Sequence, residues 1–134
     1  MERKISTAKM ITRFASLYNA SALIIFLVPG ALALFGVEEP YSSFWRVLPA
    51  LLASFGAVTL WISSNNIVEF ATFPVWNGII RIIFATVAIA AGYHNTMGIF
   101  ILLLALGDLL IGILTVSIVK RATTKSILQI LKNN

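Results

Sequence analysis

The chain has no cysteine, a single histidine and only five Asp and Glu among its 134 residues. Without cysteine there can be no disulfide, no thiolate metal site and no thiol nucleophile. One histidine, His94, would need carboxylate help to hold a metal, and none stands at useful spacing, so no metal site is expected. Charge of either sign is scarce. Charged residues make up 11% of the chain, about half of what a soluble domain carries. There is no glycine-rich phosphate loop, no H-E-x-x-H, no G-x-S-x-G and no pair of carboxylates on one apolar run. Catalysis in membranes often uses haem- or metal-ligating histidines within the spans, and none lies there. The expectation is a protein that is not an enzyme and holds no cofactor.

What is present is apolar. The chain is 59% hydrophobic, with a mean hydropathy of +0.94. A soluble core of this size cannot bury so much apolar surface, so lipid is the solvent for much of the chain. A bilayer is crossed by about 20 apolar residues, and four runs qualify, at about 14–35, 44–63, 75–92 and 96–119. Pro29 interrupts the first, where a kink is expected. Basic residues followed by an apolar run and Ala31-Leu32-Ala33 also fit a secretory signal with its cleavage site. The run is long for a signal, and the span reading is preferred. Trp45 and Trp61 mark the two interfaces of the second run. Residues 67–76 are too short to span and are expected at the interface, with Pro74 at a helix start. No linker divides the chain, so residues 1–134 form one domain.

The net charge of +5 would point to nucleic acid in a soluble protein. Here eight of the ten Lys and Arg residues lie in the two tails, outside the apolar runs. That is a topology signal, and nucleic acid is not an expected partner. With loop 36–43 acidic and loop 93–96 uncharged, both termini are placed on the cytoplasmic side of the cell membrane and both loops outside. The basic tail, residues 120–134, holds Lys120, Arg121, Lys125 and Lys132. Ile127, Leu128, Ile130 and Leu131 cluster on one helical face, which suits a short amphipathic helix on an anionic surface. A frayed extension of the fourth span fits as well.

Lipid gives helices no hydrophobic reason to associate, so small residues mark the contacts. In the third run Gly78, Arg81, Ala85, Ala88 and Gly92 share one face. In the fourth, Gly98, Ile101, Ala105, Asp108, Gly112 and Thr115 do so. Folding the runs about His94-Asn95 sets Gly92 opposite Gly98, Ala85 opposite Ala105, Arg81 opposite Asp108 and Gly78 opposite Gly112. Arg81 and Asp108 then lie equally deep, about 20 Å from the turn. An isolated charge there is costly, and a direct ion pair is expected. It can be a clasp that fixes hairpin register, or it can line a polar path. Asn19 is a secondary polar candidate, expected to bond to a neighbouring helix. Glu69 is a second-choice partner for Arg81. His94 is expected to be solvated, with a pH-sensing role as the alternative.

The runs LVPGALALFGV and FWRVLPALLASFGAVTLW, followed by a hairpin with an arginine and a Gly-Asp pair, resemble DoxX-like small four-helix membrane proteins over about residues 14–119. Arg46, opening the second run, and the recurrent glycines carry the likeness. The resemblance implies a four-helix bundle and carries no functional site. The reading is an all-α, membrane-embedded antiparallel four-helix bundle of two transmembrane hairpins. Its expected role is a non-enzymatic accessory or scaffolding subunit, or a binder of a lipid-like molecule. Membrane lipids are its expected partners, with a larger membrane complex or a homo-oligomer. The alternative is a small oligomeric transporter or channel using Arg81 and Asp108.

Overall fold

The computed structural model describes residues 2–38, 41–92 and 98–132. The elements in order are α1 (Glu2–Leu27), a 3-10 turn (Ala33–Phe35), α2 (Phe44–Asn65), α3 (Thr72–Ala90), α4 (Ile99–Thr123) and a short α5 (Ile127–Leu131). The protein is all-α. α1 packs on α2 and α3 on α4 as two hairpins, and α1 against α4 is the main joint between them. All four long helices have the length and apolar composition to cross a membrane. The chain is a small multi-pass membrane protein.

The packing inverts that of a soluble bundle. The interior is largely alanine, including Ala8, Ala15, Ala50, Ala57, Ala85, Ala88 and Ala105. The large side chains point outward, among them Leu52, Phe55, Ile80, Ile83, Leu103 and Leu110. Such a surface would drive aggregation in water, whereas in lipid it faces its own kind, and the small residues let backbones approach. α3 and α4 approach each other backbone to backbone. A Cβ added to Gly112 would lie 2.6 Å from the Gly78 carbonyl, and one added to Gly78 would lie 3.0 Å from the Gly112 carbonyl.

Both ends of α1 differ from expectation. The first run continues as helix neither to Pro29 nor to Phe35, because α1 ends at Leu27. Proline lacks an N–H, clashes with the preceding turn and disfavours helical geometry at the residue before it. Gly30, at φ +80°, completes the stop in place of a kink. The exposed helix end is closed by Arg46, whose Nε and Nη2 donate to the Phe26 and Leu27 carbonyls, each at 3.1 Å. A cation at a helix C-terminus also complements the macrodipole. At its other end α1 reaches back to Glu2, well before residue 14. Ala8, Thr12, Ala15 and Ser16 form its buried stripe, so the basic N-terminal segment is helical and packed.

The connection after α2 is anchored to the bundle by two of its residues. Ile67 and Ala71 are buried in a cluster with Ala8, Val75, Val119, Ala122 and Ile130. Pro74 falls in the first turn of α3, where its missing N–H costs no helical bond. α4 runs on through Lys120 and Arg121 to Thr123. After Thr124, which adopts φ 58°, the chain folds back as α5. Ser126 and Gln129 form a reciprocal capping box, Ile130 is buried, and Thr72 Oγ1 donates to the Ile130 carbonyl at 2.8 Å. The tail's apolar face is thus partly covered by the protein's own bundle, with Leu128 left exposed.

Candidate functional site

Arg81 is the centre of the site. It lies on α3 with 6% of its surface exposed, opposite Asp108 on α4 with 9% exposed. Its Nη1 donates to Asp108 Oδ1 in a direct ion pair. Nη2 donates to Asn19 Oδ1 on α1. Nε donates to Asn77 Oδ1 at 2.9 Å, one turn earlier on α3. The guanidinium carbon stands 5.1 Å from the centre of the Tyr18 ring. Each nitrogen of the fork therefore has an acceptor, and one face is covered by an aromatic ring. Such satisfaction is what permits a buried charge pair.

Glycines on α2 and α4 make the room. A Cβ on Gly56 of α2 would sit 2.5 Å from Asn19 Nδ2, and one on Gly107 of α4 would sit 3.1 Å from the Tyr18 hydroxyl. All four long helices therefore shape this node. Below it, towards the chain termini, several polar side chains are buried beside the apolar cluster. Ser16 donates to the Ala57 carbonyl at 2.6 Å, and Arg13 Nε donates to Ser64 at 3.2 Å while lying 5.5 Å above Trp61. The hydroxyls of Thr12 and Thr115 are buried without a hydrogen-bond partner.

The structure brings together Arg81, Asp108 and Asn19 of the residues singled out by sequence. It does not bring Glu69, which is exposed in the turn before α3 and accepts from Asn66 Nδ2. That corrects Glu69 as a partner for Arg81. The start of α3 at Thr72 already leaves about 14 Å of helix between them. His94 lies outside the described residues. Lys120, Arg121, Lys125 and Lys132 are all exposed at the end of the bundle that holds the termini. Among the described residues, no three His, Asp or Glu side chains gather to hold a metal.

Sequence reasoning missed Asn77 and Tyr18. Asn77 stands four residues before Arg81, the spacing at which helical side chains meet, so a signal existed. Tyr18 had none. It was also silent about a lateral groove of about 250 Å3 on the loop side of the node, lined by Tyr18, Ser21, Ile25, Phe35, Phe100 and Leu103 among others. Phe35 and Phe100 stack there with centroids 4.8 Å apart. The groove lies at the α1/α4 joint between the hairpins and is mostly apolar, with Tyr18 and Ser21 as its polar edge.

Compared with protein-family models, curated proteins and solved structures, the chain matches none.

Proposed function

We propose that this is a non-enzymatic multi-pass membrane protein that binds a lipid-like molecule in the groove between α1 and α4. The observation that carries this reading is the groove itself. It is an apolar recess at the joint of two hairpins, with polar atoms on one edge only, which is the composition of a ligand pocket. The Arg81 node beside it acts as a clasp, since each of its three nitrogens already donates within the protein. The tails, with their excess of Lys and Arg, lie on the cytoplasmic side. A role as accessory or scaffolding subunit is compatible with the same groove, which a partner's helix could fill. The resemblance to DoxX-like proteins adds the bundle architecture and nothing about the ligand.

The test is retention of lipid through purification. Ala22→Trp fills the groove from α1. The variant is expected to lose about tenfold or more of the co-purifying hydrophobic molecule seen by native mass spectrometry, that being the effect of about 1.4 kcal/mol, with an unchanged helical circular dichroism spectrum. Equal retention by both proteins rejects the groove as the site.

A second reading, a small oligomeric transporter or channel, is supported by Thr12 and Thr115. Their unpartnered hydroxyls stand buried between the node and the end that holds the termini. Buried polar groups of that kind are commonly satisfied by water, and a water file there would give Asp108 a polar approach. Proton flux in liposomes that Asp108→Asn abolishes, without loss of folded protein, would replace the first reading with this one.

A further inference from the structure

At the opposite end of the same joint, α1 and α4 diverge around a cleft of about 380 Å3, lined by Arg3, Lys4 and Thr7 of α1 and Ile118 and Arg121 of α4. Three cations from two helices line one cleft, and among the described residues no carboxylate lines it. Among the described residues, the side chains of Arg3, Lys4 and Arg121 have no ion pair or hydrogen bond within the protein. Glu2, the nearest acid in sequence, is exposed and does not line the cleft. Thr7 Oγ1 already donates to the Arg3 carbonyl at 2.9 Å, so the cations are the free donors. Like charges gathered on one cleft repel one another, and an anion seated between them relieves that repulsion.

Depth says what that anion is. Arg121 stands thirteen residues beyond Asp108 along α4, and Arg3 sixteen residues before Asn19 along α1. At the helical rise these are about 20 and 24 Å from the mid-bundle node. Half of a bilayer with its headgroups is about 20–22 Å. The cations therefore lie at headgroup level. Ile118 forms the apolar wall of the cleft, and Leu114, one turn deeper on α4, is exposed on the helix surface. That gives a headgroup site with an acyl-chain surface beneath it. By contrast, the basic recess on the outer face of α1 is formed by one helix alone, and its Arg13 is engaged with Ser64 and Trp61.

We infer that the cleft between the N-terminal turns of α1 and the C-terminal turns of α4 binds the phosphate headgroup of an anionic membrane lipid, with Arg3, Lys4 and Arg121 as its ligands. The site is separate from the loop-side groove, and it stands whether or not that groove holds a ligand.

The experiment uses the full chain in nanodiscs of equal parts phosphatidylglycerol and phosphatidylcholine, with bound lipid counted by native mass spectrometry. The cleft variant is R3Q/K4Q/R121Q. The control, K9Q/K120Q/K132Q, removes the same charge elsewhere on the same surface. A cation at an anionic surface contributes about fivefold to lipid affinity. Wild type is therefore expected to retain phosphatidylglycerol over phosphatidylcholine. Loss of general surface attraction is common to both variants, and the cleft variant is expected to lose about tenfold or more of that preference beyond the loss in the control. Equal loss in both variants means diffuse surface charge and overturns the site, as does no loss in either. Displacement of the lipid by millimolar inorganic phosphate from wild type alone identifies a soluble anion site and overturns the lipid assignment. Matched circular dichroism and thermal melting confirm that each variant is folded; if R3Q/K4Q/R121Q is not, the single substitution R121Q is read in its place, with a proportionally smaller loss expected.

Discussion

A guanidinium inside a lipid-facing bundle is tolerated when it is paired and hydrogen-bonded, and each nitrogen of Arg81 has an acceptor, in Asp108, Asn19 or Asn77. Removing one member of such a pair leaves the other charge buried and unmatched. Arg81→Met is expected to destabilise the protein by about 3–5 kcal/mol, and the double variant R81M/D108L to recover most of that loss. Unfolding by dodecyl sulfate titration in mixed micelles measures both. If the double variant is as unstable as the two single losses added together, the residues are uncoupled and the clasp is wrong. Much of this node was legible in the chain. The mirror of α3 and α4 about their turn already put Arg81 opposite Asp108. Asn77 was legible through its four-residue offset but went unread. The identity of Arg81's third acceptor, Asn19, was not legible, because nothing in sequence sets the register between the first hairpin and the second.

At the scale of the helix, contacts in this protein are made by what is missing from side chains. Gly78 and Gly112 let α3 and α4 approach until a Cβ on either would meet the other's carbonyl oxygen. Since the obstacle is backbone, a rotamer change cannot relieve it. Gly112→Ala is expected to cost about 1–3 kcal/mol by forcing the helices apart, whereas Leu110→Ala, on the exposed face of the same helix, should change stability little. Dodecyl sulfate titration of the two variants gives the comparison, and equal effects would remove the close approach as the basis of the seam. Helix limits were less legible than helix faces. The stop at Leu27 follows from Pro29 and Gly30, but a proline in a membrane run can equally kink a helix that continues. The helical start at Glu2 was written in the spacing of Ala8, Thr12 and Ala15, yet four nearby cations masked it.

For the whole molecule, the hairpins are closely packed within themselves and are joined chiefly along α1 and α4. Among the described residues that donate or accept at the Arg81 node, Asn19 alone comes from the first hairpin. The hairpins produced as two chains, divided between the exposed Val68 and Glu69, are expected to co-purify when co-expressed. Asn19→Leu should weaken that association by about tenfold, the worth of one hydrogen bond to a charged group. Quantitative pull-down from detergent measures it, and an unaffected yield would mean that packing alone joins the hairpins. The same joint holds the loop-side groove at one end and the basic cleft at the other. Both recesses arise because α1 and α4 fit each other less closely than the partners within each hairpin.

The sequence by itself determined the helical class, the four long apolar helices and the register of α3 on α4. Lipid leaves a backbone little choice but to bond within its own helix, and the few residues between the third and fourth runs tie two stripes of small residues to one alignment. Only the tertiary structure decided that Asn19 and Tyr18 close over Arg81, that the tail folds back to bury Ile130, and that Arg3, Lys4 and Arg121 line one cleft. Each of these joins segments far apart in the chain, and their relative placement is set by packing between hairpins, which no local pattern encodes.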